Sequence, residues 1–158
     1  MTQAPLIHLA YHESGHACIR AVALGGRAQS LSICSEPLDR RRRRYWGLTH
    51  IDREHTGALA EHRLWRAALT HMAGYAAELR LLGHADLAPS RTDLQRARHC
   101  LSRLDMNPDQ AWDCAWQATI QLVDQQRSLI DRTVEALIAK VQDGAAQLNE
   151  SEFAALIS

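Results

Sequence analysis

The chain has 158 residues, of which 46% are hydrophobic and 23% are charged, and this length and balance fit one globular domain over residues 1–158. Its 18 basic and 18 acidic residues cancel, so the overall charge gives no attraction to nucleic acid or to an anionic membrane. No segment approaches the ~20 apolar residues of a membrane span. The N-terminus lacks the basic region of a signal peptide, so we expect a cytoplasmic protein with no membrane partner.

The first half of the chain predicts one helix and a small sheet. Apolar residues at helical spacing from Leu6 to Leu24 indicate a helix with small residues on its surface, ended by Gly25 and Gly26. Alternation over 28–34 and 45–51 predicts a β-hairpin or small sheet near residues 28–51. The segment between these strands, which carries the arginine run Arg40–Arg44, is expected to be an exposed loop.

After residue 56 the pattern is helical throughout. We expect a helix over 56–83, another after Pro89, two more up to Asp143, and a short last helix. The expected helix starts are marked by cap residues, namely Ser90 or Thr92, Asn107 before Pro108, and Asn149 with Glu152. The predicted fold class is therefore mainly α (α+β). The four scattered cysteines contain no CxxC pair and are expected to be free, mostly buried thiols.

Residues 12–16 read HESGH, which matches the HExxH pattern of zinc hydrolases. On a helix His12 and His16 share one face and can direct both imidazoles at one ion, with Glu13 beside it. A catalytic zinc needs three protein ligands. Ile19 and Val22 stand where one known local extension of the motif would have glycine and histidine, so the third ligand must come from a distant helix.

Three segments in order, HESGHA, AGYAAELRLLG and SRTDLQRARHCL, resemble the peptidase domain of the FtsH family. Those proteins are zinc metalloproteases that are normally fused to an AAA+ ATPase. The resemblance covers nearly the whole chain from about Leu9 and implies a helical FtsH-type peptidase domain with zinc as its cofactor. The matching positions are His12, Glu13 and His16 in the first motif, Gly74, Ala77, Glu78 and Leu79 in the second, and Asp93, Leu94 and Ala97 in the third.

The resemblance also implies roles for individual residues. Asp93 would be the third zinc ligand and Glu13 the general base. Glu78 would hold a ligand histidine by its other ring nitrogen, or serve as the fallback ligand. The second strand falls where the family has an edge strand beside the active site, which would pair with an extended substrate. The residues expected there are Gly47, Leu48 and Thr49.

The predicted function is a zinc-dependent endopeptidase that acts on unfolded or loosely folded polypeptides. The chain contains no Walker A motif, so a separate AAA+ unfoldase is a candidate partner, and a homo-oligomer stays open. The alternative is a zinc-containing regulatory or binding module of the same fold with weak or no peptidase activity. A structural or nucleic-acid-binding protein is favoured only by the Arg40–Arg44 run, and no aromatic platform accompanies that run.

Overall fold

A computed structural model describes residues 4–25, 28–37, 43–51 and 61–158. The elements are α1 (Ala4–Cys18), a π-helical turn (Ile19–Ala23), β1 (Ala28–Pro37), β2 (Arg43–Ile51), α2 (Glu61–Leu82), α3 (Leu87–Leu101), α4 (Pro108–Gln125), α5 (Arg127–Ala139), β3 (Ala145–Leu148) and α6 (Glu150–Ile157). The prediction of a mainly α protein with a small sheet near residues 28–51 is confirmed.

The sheet has the strand order β2-β1-β3 and is antiparallel throughout. The β1–β2 ladder is longer than predicted, and the expectation of a loop at 35–37 and 43–44 was wrong. Each added pair extends the inter-strand hydrogen bonding, and proline is tolerated at a strand end. The additional register partners are Ser35 with Tyr45, Glu36 with Arg44 and Pro37 with Arg43. Arg40–Arg42 lie outside the described residues.

The third strand, β3, has no counterpart among the predicted elements. Asp143 and Gly144 have φ values of 52° and 82°, and this left-handed turn brings the chain back onto β1. Leu31 of β1 is then the register partner of Leu148. A strand of four residues at a sheet edge carries too short an alternating pattern to be read from sequence.

Two of the three helices begin at the cap residues that the sequence predicted. Asn107 caps α4 by accepting hydrogen bonds from two backbone amides, and Asn149 forms the predicted capping box with Glu152. The third prediction was wrong: α3 begins at Leu87, so Ser90 and Thr92 lie inside the helix. Proline is compatible with a first helical turn, where its missing N–H would be unpaired anyway, and therefore Pro89 does not delay the start.

The first helix extends over the predicted range but changes its winding. The backbone N–H of Leu24 donates to the carbonyl of Ile19 at 3.0 Å, a five-residue π-type bond, and Gly25 follows with a φ of 65°. In the described part of the chain, no helix is long and apolar enough to cross a membrane.

The cysteines are free thiols, as predicted, but they are not mostly buried. Cys18 is buried, Cys34 and Cys100 are half-buried, and Cys114 is exposed. Cys18 is part of the hydrophobic core, and burial raises its pKa to about 12.

Close packing of α1 against α2 positions the site. A Cβ atom at Gly15 would lie 2.7 Å from the Ala73 carbonyl oxygen and 2.7 Å from the Ala77 Cβ. Small residues on both helices therefore let the two backbones approach. This contact brings one face of α1, with His12 and His16, directly against α2. On its other sides α1 contacts the sheet and α5.

Candidate metal centre

Three side chains from α1 and α3 converge on one point. The Nε2 atoms of His12 and His16 are 3.1 Å apart, and Asp93 Oδ2 lies 3.4 Å from the first and 3.3 Å from the second. Tetrahedral zinc with ligands at ~2.0–2.1 Å separates its ligand atoms by about 3.3 Å. The spacing of these three atoms therefore fits one zinc ion. Among the described residues, no other group of three histidine, cysteine or acidic side chains has this proximity.

The Nδ1 atoms of both histidines make their shortest contacts with groups that only accept hydrogen bonds. His12 Nδ1 donates to Glu78 Oε1 at 2.8 Å, and His16 Nδ1 donates to the Thr70 carbonyl at 2.7 Å. In the neutral rings the Nε2 atoms then carry bare lone pairs that face each other. Two such lone pairs at 3.1 Å require a cation between them, either a proton or a metal ion.

In the metal-free protein a proton fills this role. Burial alone would lower the pKa of His12, but hydrogen bonds with Asp93 and Glu78 outweigh it and raise the pKa to about 10. Burial would raise the pKa of Asp93, but hydrogen bonds with His12 and His16 hold it well below its usual range. The carboxylate is therefore ionised, and a divalent cation can replace the shared proton.

The α2 backbone lines the other side of the same point. A Cβ atom at Gly74 would lie 2.5 Å from His16 Nε2 and 2.8 Å from His12 Nε2. Any side chain at this position would occupy the space between the ligand nitrogens. The glycine therefore keeps the space between these nitrogens open. Two imidazoles and a carboxylate are a donor set that suits zinc.

Glu13 is buried, and strand β2 covers it. Its Oε2 atom accepts a hydrogen bond of 2.5 Å from Thr49 Oγ1. A Cβ atom at Gly47 would lie 2.6 Å from both Cγ and Oε1 of Glu13, so the strand approaches the carboxylate as closely as glycine allows. Gly47 and Thr49, predicted on the substrate strand, thus also position Glu13. Leu48 lies between them on β2 as the register partner of Ser32.

Glu78 lies behind His12, on the side away from His16 and Asp93. Its two carboxylate oxygens accept from His12 Nδ1 and, at 2.9 Å, from His8 Nδ1. Because it contacts Nδ1 and not Nε2, the geometry favours the first of its two predicted roles, which is to fix the ring of a ligand histidine.

The neighbours of this site that were not predicted include His8, Thr70 and His71. A signal existed for His8, because His8, His12 and His16 recur every four residues along one helix face. Thr70 contributes only a carbonyl, which the sequence cannot reveal. His71 Nδ1 lies 3.9 Å from Asp93 Oδ1. Burial lowers the pKa of His71 to about 4, so its ring is neutral at pH 7.

No protein-family model matches the chain, and no curated protein matches it. The resemblance to the FtsH peptidase domain therefore rests on the three sequence motifs alone. The geometry of the site is a separate line of evidence, because it follows from distances between atoms and not from likeness to another protein.

Proposed function

We propose that the protein is a zinc-dependent endopeptidase of the FtsH type, with His12, His16 and Asp93 as zinc ligands and Glu13 as general base. The observation that carries the proposal is the convergence of His12, His16 and Asp93 at tetrahedral spacing. Glu13 supports it, since a carboxylate next to a ligand histidine is the group that zinc hydrolases use for proton transfer.

The chain's own residues supply positioning and proton transfer. When bound, zinc supplies Lewis-acid chemistry, which lowers the pKa of a water toward ~7 and polarises the scissile carbonyl. Glu13 takes a proton from the attacking water and returns it to the leaving amine. Because Thr49 occupies Oε2 of Glu13, we assign the proton transfer to Oε1. Gly47 leaves the space in which this carboxylate lies.

The substrate proposed is an unfolded or loosely folded polypeptide. Among the described strands β2 pairs only with β1, and we assign its other edge to pairing with an extended substrate. Recognition through the backbone gives affinity with little sequence preference. The side chain of Asp93 is 20% exposed, whereas those of His12 and His16 are buried, so we assign the approach of substrate to the α3 side.

Folded substrates would need a separate AAA+ unfoldase, because peptide-bond hydrolysis at this site requires an extended chain. A cytoplasmic location and a homo-oligomer stay predictions.

The second candidate is a zinc-containing regulatory module of the same fold. It would need the metal ligands but not a carboxylate held in one orientation. The close approach of Gly47 to Glu13 and the Thr49 hydrogen bond favour the enzyme, because both constrain a residue that plays no part in holding the metal.

Cleavage of an unstructured protein tests the proposal. Zinc-loaded wild type, Glu13→Gln and a matched control, Glu135→Gln at an exposed position on α5, would be incubated with a reduced and alkylated protein, and zinc content would be measured for each. We expect cleavage by wild type and Glu135→Gln, and none by Glu13→Gln despite equal zinc. Equal cleavage by all three, or none by zinc-loaded wild type, would contradict the enzyme.

A further inference from the structure

A second pair of histidines repeats the arrangement of the first. His8 on α1 and His84, just after α2, approach each other with their Nε2 atoms 3.0 Å apart. Their ring centroids are 4.5 Å apart, and the rings are inclined at 65°. Neither residue belongs to the cluster of His12, His16 and Asp93.

The outer nitrogens of this pair are also held by acceptors. His8 Nδ1 donates to Glu78 Oε2 at 2.9 Å, and His84 Nδ1 donates to the carbonyl of Leu82 at 3.2 Å. A carboxylate and a carbonyl can only accept, so both Nδ1 atoms carry the hydrogens. With the hydrogens on Nδ1, the two Nε2 atoms face each other with bare lone pairs, and a cation between them would satisfy both.

The hydrogen bonds behind the rings are of the kind that metal-binding histidines make. Histidines that bind metals donate their other N–H to a carboxylate or a backbone carbonyl. His8 and His84 use one of each, as His12 and His16 do with Glu78 and Thr70. Imidazole pairs suit Zn²⁺, Ni²⁺ and Cu²⁺, and solvent can complete the coordination because His84 is exposed.

We propose that His8 and His84 form a second, weaker transition-metal site, which takes zinc when zinc is in excess over protein. Glu78 connects it to the first site, because one carboxylate oxygen holds His8 and the other holds His12. The proposal does not depend on peptidase activity. It requires only that two imidazoles with fixed tautomers meet at the protein surface.

Zinc stoichiometry tests the second site. Wild type, His84→Ala, His16→Ala and the double variant would be dialysed against excess zinc at pH 7.5, and bound metal would be counted by elemental analysis. His99→Ala is the matched control, since His99 is an exposed histidine elsewhere, on α3. His84 lies beyond the end of α2, so its removal leaves the core intact, which a thermal melt of each variant checks.

We expect two zinc ions in wild type and His99→Ala, one in each of the single variants His84→Ala and His16→Ala, and none in the double variant. A single ion in wild type that His84→Ala retains would overturn the second site and mean that the pair shares only a proton. Two ions retained in His84→Ala would overturn it too, because the second ion would lie elsewhere. A single wild-type ion lost only in His84→Ala would instead contradict the first site.

Discussion

Gly74 lies directly against His16 at the candidate metal centre: a Cβ atom on the glycine would lie 2.5 Å from the Nε2 atom of the histidine. Real Cβ atoms do not approach a nitrogen so closely, so either the imidazole rings or one of the two helices would have to move. The absence of one methyl group on α2 is therefore a condition for the ligand geometry on α1.

Gly74→Ala should weaken zinc binding. The added methyl group displaces both ligand rings, and we expect zinc affinity to fall at least about 10-fold, as for changes that disturb ligand orientation. Competition with a chromophoric chelator measures the zinc affinity. Gly25→Ala is the control: Gly25 has a φ of 65° with nothing near its missing Cβ. That variant should melt at a lower temperature and bind zinc as wild type does. Unchanged zinc affinity in Gly74→Ala would contradict the role of Gly74 in keeping the space between the two histidine nitrogens open.

Gly47→Ala should separate catalysis from metal binding. The Cβ atom of the new alanine would collide with Cγ and Oε1 of Glu13. None of the three atoms nearest to it belongs to His12, His16 or Asp93. Misplacing a catalytic group by about 1 Å can cost ~100-fold, so we expect a fall in kcat of that order with zinc affinity unchanged. Measuring kcat, KM and zinc content of the same samples shows whether Gly47 acts on catalysis or on metal binding. A loss confined to KM would mean that Gly47 acts only in substrate pairing.

Glu78→Gln should weaken the first site without removing a ligand. Glu78 accepts from both His12 and His8, and the amide can accept at only one atom while its NH₂ group faces the other N–H. Zinc affinity should fall by ~10–100-fold, the usual effect of losing a group that orients a ligand. Chelator competition against the Glu135→Gln control measures this change. Full affinity in Glu78→Gln would contradict the orienting role.

The metal-free protein should lose stability as the pH rises above neutrality. The pKa of His12 is raised from 6.5 to about 10, so its contribution is complete below pH 6.5 and is lost as the pH rises toward 10. Thermal melts of metal-free protein between pH 6.5 and 9.5 should show a falling Tm. Asp93→Asn removes the charged partner and should flatten this dependence. A flat profile for metal-free wild type would contradict the protonated His12–Asp93 pair.

The same pair predicts proton release on metal binding. At pH 7.5 the metal-free site holds one proton on His12, and zinc requires a neutral ring. Calorimetric titration in two buffers with different ionisation enthalpies should therefore give about one proton released per zinc bound at the first site. No dependence on the buffer would mean that the site is already deprotonated.

The sequence predicted those features that depend on local chemistry. The i, i+4 spacing of His12 and His16 fixes their shared face, and Asn107 and Asn149 cap helices because their side chains reach nearby amides. The assignment of Asp93 needed the family resemblance, because 77 positions separate it from His16 and spacing cannot join them. Tertiary contacts could not be predicted from the sequence. Strand β3 depends on pairing with β1, and Thr70 contributes to the site through its backbone carbonyl.

X-ray absorption at the zinc edge of protein loaded with one equivalent of zinc tests the central claim most directly. We predict two imidazole nitrogens at ~2.0–2.1 Å and oxygen ligands at ~2.0–2.2 Å, with one imidazole lost in His16→Ala. A sulfur ligand at ~2.3 Å would place the metal on one of the free cysteines instead, and a spectrum unchanged in His16→Ala would show that zinc binds elsewhere.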